Sequence, residues 1–493
     1  MSDIDQFGSP IPTQIVASDE YLPAPQTEQQ RHVEARLKET GRVLAGRLGM
    51  SRRQFFRTAS GMAASYLVMN QVYGPLFAVS EAEARTPELA QARADALKDQ
   101  LVFDAHTHFL SDNPSPAFVD PSRTGNLMWQ RGLMSRLGWN KDLAGRDVTV
   151  EDLKVDNFLK EIYLDSDTKV ALLSNAPSTA DADWLLPQEQ VFKTREKVNG
   201  EAGSKRMLAH YTITPGRPGW LEGVDRAIEV LKPDGWKAYT IGDVILANGG
   251  RGAYRLDDEK LMYPFYERVA KAGIKAVCVH KGLFPLQAEA RLPQLAPYAN
   301  VGDVGRAAKD WPQLDFAIYH SGYRHLGGAP ADGMAEWDQH GRLSWLSDLA
   351  EIPAKHGVSN VYADLGSIFA WTVIAQPRLA AAMMGTLIKG LGADHVIWGT
   401  DAVWTGSPQW QIEALRRLEI PEDMQRQHGF APLGAADGPV KNAIFADTGL
   451  RLFGYPRRAG LAKPDRFAEM KTRYESAGPQ RSNLRYGYVH TPG

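Results

Sequence analysis

Only one cysteine, Cys278, occurs in the 493 residues. A single thiol can form neither an intramolecular disulfide framework nor a cysteine-based zinc site, and it says nothing of redox compartment. Net charge is equally scarce. The 56 Lys and Arg against 58 Asp and Glu leave −2, with a pI near 6.7. That balance carries no electrostatic footprint for nucleic acid or an acidic membrane. No uninterrupted apolar run reaches 18 residues, so no membrane-spanning helix is expected. Gly-rich nucleotide fingerprints are missing too, since Gly249-Gly250-Arg251-Gly252 is too short and sits in a loop. There is no internal repeat and no heptad. What is there is a globular composition, 43% hydrophobic and 23% charged, whose 12 Trp and 30 Pro suit structured loops around a pocket.

The first hundred residues differ in kind from the rest. Residues 1–50 are polar, without a sustained apolar period, and read as a flexible leader or a surface-hugging arm. Within 51–84, Ser51-Arg52-Arg53-Gln54-Phe55-Phe56-Arg57 resembles a twin-arginine export signal. A broken apolar run, Ala59 to Val79, follows, and then Ala82-Glu83-Ala84, shaped like a small-x-small cleavage site. Two readings stand side by side. One is export through the twin-arginine machinery to the periplasm. The other is a helix carrying Met62, Leu67 and Val72, packed on the main domain of a cytoplasmic protein.

From Leu101 onward, short apolar runs alternate with amphipathic stretches. The runs are Leu101–Ala105, Lys169–Ser174, Arg206–Ile213, Trp236–Thr240, Ile274–Val279, Leu314–Tyr319, Asn360–Leu365 and His395–Thr400. Each has the length of a buried parallel strand. Helical spacing lies between them at Leu261–Ala270, stopped by Gly273, at Leu379–Leu391 and at Gln411–Leu418. Eight such alternations predict an α/β fold, a (β/α)8 TIM barrel over 100–457, with a terminal helix near Lys441–Phe453. The N-terminal extension precedes it, and a polar tail, 458–493, follows.

In such a barrel chemistry gathers at the C-terminal strand ends. The first run leads into Asp104-Ala105-His106-Thr107-His108, where i and i+2 share a face, so His106 and His108 point together into the barrel mouth. The fifth ends at His280, the sixth at His320 and the eighth at Asp401. A lone histidine at such a place is more often structural. Four with a carboxylate, all at strand ends, suit Zn2+ or another first-row divalent ion.

This pattern, with His280-Lys281-Gly282, Tyr319-His320-Ser321-Gly322-Tyr323, Trp398-Gly399-Thr400-Asp401 and Arg451-Leu452-Phe453-Gly454, resembles the amidohydrolase superfamily. It is most similar to the branch that includes aminocarboxymuconate-semialdehyde decarboxylase. The resemblance spans residues 101–454. It implies that His106, His108 and His280 bind metal, with Asp401 as ligand or general base. His320 would hold a second metal or polarise the substrate. It also raises Lys237, at the place where binuclear members carry a carboxylated lysine bridging two ions; the decarboxylase-like branch generally lacks that lysine, so one ion or two are both open.

The implied chemistry is hydrolysis of an amide, ester or lactone in a small, cyclic or carboxylated substrate, by metal-activated water. Asp401 would move the proton and His320 would stabilise the oxyanion. The same residues could serve a decarboxylase of an aromatic or unsaturated acid, or survive in a non-catalytic exported binding protein. Arg324, as a carboxylate partner, with Tyr323 and Trp404, are the substrate-binding candidates; Phe284 and Trp371 stand in similar loops, and His210 reads as structural. A homo-oligomer is the expected assembly.

Overall fold

The computed structural model describes residues 9–15, 26–120, 122, 139–140, 150–243, 251–325, 330–404, 406–456, 465–478 and 489–490. Eight parallel strands lie side by side in chain order: β1 (Phe103–Thr107), β2 (Val170–Leu173), β3 (Met207–Thr212), β4 (Gly235–Tyr239), β5 (Ala276–His280), β6 (Asp315–Tyr319), β7 (Val361–Asp364) and β8 (Val396–Ile397). The sheet curls until β8 meets β1. Ala105 N–H donates to Trp398 O at 2.9 Å, Asp401 N–H to His106 O at 2.8 Å, and His108 N–H to Ala402 O at 2.6 Å. The fold is a (β/α)8 barrel.

All eight expected runs become strands. Helices cover the outer face of the sheet while the inner face packs on itself, so both faces favour apolar residues and each strand reads as a continuous apolar stretch. The helices behave the same way. Among them, α1 (Glu28–Arg47), α2 (Ala59–Tyr73), α3 (Glu81–Arg85), α4 (Tyr263–Ala272), α5 (Pro330–His340), α6 (Pro377–Leu391) and α7 (Gln409–Arg417) matter below. In α4, Phe265, Tyr266 and Val269 form the buried stripe, and Gly273 ends the helix in the left-handed region, φ 74°.

Residues 28–47, read from sequence as part of a polar leader, form α1. A capping box between Thr27 and Gln30 starts the helix. Its buried stripe, Val33, Leu37, Gly41 and Leu44, is narrow and set among charges, which is why no apolar period stands out. The twin-arginine-like segment is a packed part of the same fold. Phe55 and Phe56 are buried, and α2 buries most of its first eleven residues. Tyr66 Oη donates to Trp410 O at 2.6 Å on α7, and Leu76 and Ala78 exchange backbone hydrogen bonds with Glu419 and Arg417. The Ala82-Glu83-Ala84 stretch falls inside α3, where Ala84 is buried and Glu83 pairs with Arg417 at 2.5 Å.

From the C-terminal tail, Arg466–Ser476 is helical, and Asp465 beside it takes both arms of the Arg206 guanidinium at 2.5 and 2.7 Å. Among the described residues, no helix is long and apolar enough to cross a membrane.

Candidate metal centre

The predicted ligands converge where the strands end. His106 Nε2 lies 3.4 Å from Asp401 Oδ1, and His108 Nε2 lies 3.5 Å from the same oxygen. Two ligands of one tetrahedral ion with bonds near 2.1 Å stand about 3.4 Å apart. The rings of His106 and His320 are 4.9 Å apart, centre to centre, and those of His320 and His280 4.7 Å. Lys237 Nζ, on β4, is 3.5 Å from His106 Nε2. All six side chains are buried.

Hydrogen bonds fix which nitrogen of each ring carries the proton. His108 Nδ1 faces the carbonyl of Ser174 at 3.0 Å, and His320 Nδ1 faces that of Gly366 at 3.0 Å. A carbonyl only accepts, so both Nδ1 atoms are N–H donors and both Nε2 atoms carry lone pairs. His280 Nδ1 then donates to His320 Nε2 at 3.1 Å, which leaves the His280 Nε2 lone pair as well. His106 Nδ1 donates to Asp364 Oδ2 at 2.9 Å. Burial holds His106, His108 and His280 neutral well below their ordinary range, and it brings His320 down to about 3; the Lys237 charge adds to the effect at each of the four. Neutral imidazoles with oriented lone pairs are what a divalent ion requires.

The backbone aims these groups at some cost. Leu283, His320, Ser321, Ser367 and Asp401, just beyond β5, β6, β7 and β8, all have positive φ between 49° and 60°. Left-handed non-glycine residues are uncommon and persist where the surroundings over-determine them, as at functional sites. Asp401 Oδ2 accepts from Ser367 Oγ at 2.5 Å, leaving Oδ1 toward the imidazoles. Asp104 locks the closing seam, accepting from Thr400 N–H at 3.0 Å, Thr400 Oγ1 at 2.5 Å and His106 N–H at 3.2 Å; burial raises its carboxyl to about 7.

Asp364, at the end of β7, is a site residue that the motifs do not reveal. It is fully buried and touches both His106 and the backbone of His320. Its one sequence signal is positional, an acidic residue closing an apolar run.

The expected substrate contacts fare unevenly. Trp404 is buried and stacks on His108, with ring centres 6.4 Å apart. Tyr323 and Arg324 do not extend the centre. Three successive positive φ values, at His320, Ser321 and Gly322, turn the chain away from the strand direction. Tyr323 packs against Gly333 of α5, while Arg324 pairs with Glu289 over the ring of Trp345. Phe284 is buried near Leu295 and Ala299, and Trp371 is buried within its helix. His210 lies beneath the site, with Nδ1 2.6 Å from Ser174 Oγ. Lys281 is tied to Asp303 at 2.8 Å.

The sequence model of the Amidohydrolase family matches residues 103–455, well over half of the chain. The chain belongs to the amidohydrolase family. Its members are enzymes, and the His and Asp clusters here provide groups able to hold a metal. No curated protein matches this amidohydrolase. Among solved structures, an uncharacterised TIM-barrel protein of Bordetella bronchiseptica is 12% identical, over 72% of this chain and 98% of that one, with a TM-score of 0.45. A manganese-bound 5-carboxyvanillate decarboxylase of Novosphingobium aromaticivorans is 11% identical, over 72% and 98%, with a TM-score of 0.40. A putative 2-pyrone-4,6-dicarboxylic acid hydrolase of Pseudomonas putida is 15% identical, over 72% and 98%, with a TM-score of 0.38. At such identities the likeness concerns the fold alone.

Proposed function

We propose that this amidohydrolase is a metal-dependent hydrolase acting on the amide, ester or lactone carbonyl of a small, cyclic or carboxylated substrate. One observation carries the reading: Asp401 Oδ1 faces the Nε2 atoms of His106 and His108 at 3.4 and 3.5 Å, with both rings anchored through Nδ1. These three would hold one ion, zinc or another divalent metal, with the His280 Nε2 lone pair as a further ligand. Bound there, such an ion would lower the pKa of a water toward neutrality. Asp401 accepts the proton as water adds to the carbonyl and returns it to the leaving group. Ser367 Oγ holds the carboxylate in place for both transfers. The His280–His320 pair stands beside the donors, and its hydrogen bond, anchored in turn on Gly366 O, sets the direction of the His280 ring. Trp404 offers an aromatic wall against the substrate. A carboxylated Lys237 between two ions is the binuclear form of the same proposal.

Incubation of the metal-loaded enzyme with lactones, esters and amides in 18O water tests this. Incorporation of 18O into the product carboxylate, lost in Asp401→Asn, is expected. Release of CO2 from aromatic or unsaturated acids without 18O uptake overturns it in favour of a decarboxylase of the aminocarboxymuconate-semialdehyde type. Purified protein that takes up no divalent metal would leave a non-catalytic binding protein.

We further propose export through the twin-arginine route with the leader retained, on the strength of Ser51–Arg57 and of the burial of Ala84 within α3. Cell fractionation with intact-mass measurement checks it. A cytoplasmic location, or a chain starting near residue 85, contradicts it. The assembly proposed is a homo-oligomer, to be read by light scattering.

A further inference from the structure

We propose that Asp364 is the positioning residue of the metal centre, fixing through one carboxylate oxygen both the tautomer of His106 and the turn that presents His320. The inference rests on the metal-site reading above. Oδ2 accepts three N–H groups: His106 Nδ1 at 2.9 Å, the backbone of Gly366 at 3.0 Å and the backbone of His320 at 3.2 Å. One atom on β7 thus ties the ligand strand β1 to the left-handed residue after β6. His320 has φ 57°, and the accepted N–H helps to hold that unfavourable backbone in place.

The chain makes room for this pair on two sides. A Cβ at Gly366 would overlap His106 Nδ1 and stand 2.8 Å from Asp364 Oδ2. A Cβ at Gly399, on the β8 side, would overlap Asp364 Oδ1 and stand 2.7 Å from the His106 Cβ. Neither glycine has a positive φ, so steric room, not backbone freedom, is what the missing side chains provide. Glycines on both sides form a slot shaped to an imidazole–carboxylate pair.

A carboxylate suits the slot where an amide does not. Three N–H donors converge on Oδ2, and a carboxyl oxygen accepts them without bringing an N–H of its own. An asparagine would spread the same three over a weaker amide oxygen. It would also bring an NH2 group to the place of Oδ1, which has no hydrogen-bond partner among the described residues. Buried donors without acceptors are costly, so the amide would shift and release His106.

Partners that orient a metal-bound imidazole are worth 10- to 100-fold in metal affinity. Chelator competition with Mn2+ and Zn2+ should therefore show about that loss in Asp364→Asn. In metal-free protein labelled with 15N at histidine, the wild type should show His106 protonated at Nδ1, and Asp364→Asn a mixture of tautomers. Gly366→Ala keeps the carboxylate but wedges the pair apart, so it should reproduce both effects and decides the matter if the asparagine variant fails to fold. Wild-type affinity and an unchanged His106 tautomer in either folded variant overturn the assignment. Should the wild type bind no divalent metal, the metal-site reading fails, and the tautomer measurement alone then judges Asp364.

Discussion

The Lys237 ammonium sits 3.6 Å from the centre of the Tyr319 ring, while the hydroxyl of that tyrosine donates to Ala105 O at 2.6 Å. A cation over an aromatic face is a favourable arrangement for a charged lysine inside a protein. It also sets the positive charge next to His106. One equivalent of metal is therefore expected in both wild type and Lys237→Met, with affinity in the variant equal or higher, because a like charge is gone. Two equivalents falling to one, by elemental analysis, would instead establish a bridging, carboxylated lysine.

The buried histidines set the acid limit of the metal-free protein. In the unfolded chain His320 takes up its proton near its ordinary value of 6.5, in the fold only near 3, and His106, His108, His210 and His280 shift the same way. Their contribution to stability is complete above 6.5 and is lost as pH falls toward the folded values. Asp104 and Asp364 act oppositely. Burial raises both to about 7 from 3.8, so their contribution is complete below 3.8 and lost as pH rises through 7. Five imidazoles outweigh two carboxyls, and calorimetry should find Tm falling steadily from pH 6.5 to 4.5. A flat profile would contradict neutral, buried imidazoles.

Lys281 is expected to matter for stability more than for chemistry. Its Nζ lies 2.8 Å from Asp303 and 2.8 Å from Tyr298 O, and the two charged side chains are fully buried. Lys281→Met leaves the Asp303 carboxylate uncompensated, at about 3–5 kcal/mol. Urea denaturation measures this; a loss below 1 kcal/mol would mean that other groups satisfy Asp303.

The N-terminal helices should prove inseparable from the barrel. Tyr66→Ala removes a buried ring and its hydrogen bond to Trp410 O, worth about 3 kcal/mol. Deleting residues 1–84 uncovers Trp410 and Leu418 and strips Arg417 of its partner Glu83. The truncated chain should aggregate. A soluble truncation with unchanged Tm would show the segment to be dispensable.

How far the sequence alone reaches depends on how local each signal is. The strands are legible because burial on both faces writes each as one apolar run. His106, His108, His280, His320 and Asp401 are legible because each stands at the end of such a run. Tyr323 and Arg324, read as loop residues following a ligand strand, show where position alone stops: the left-handed residues before them turn the chain away. Asp364 is hidden because its partners lie 44 and 258 positions away and no local spacing marks it. The α1 helix is hidden by its charges, whereas the packed helix of the export-like segment is one of the two readings its apolar residues allow.

The left-handed residues at the barrel rim also bear on how an ion would come and go. With His320 and Asp401 already aimed by the backbone, the cost of shaping the donors is met as the chain folds, and uptake needs little rearrangement. Departure is another matter, since His106 and His320 are about 1% exposed. Exchange would have to await a breathing motion of the rim. Occupancy would then record which ion was abundant when each molecule folded, and dialysis against a different metal would replace it only slowly.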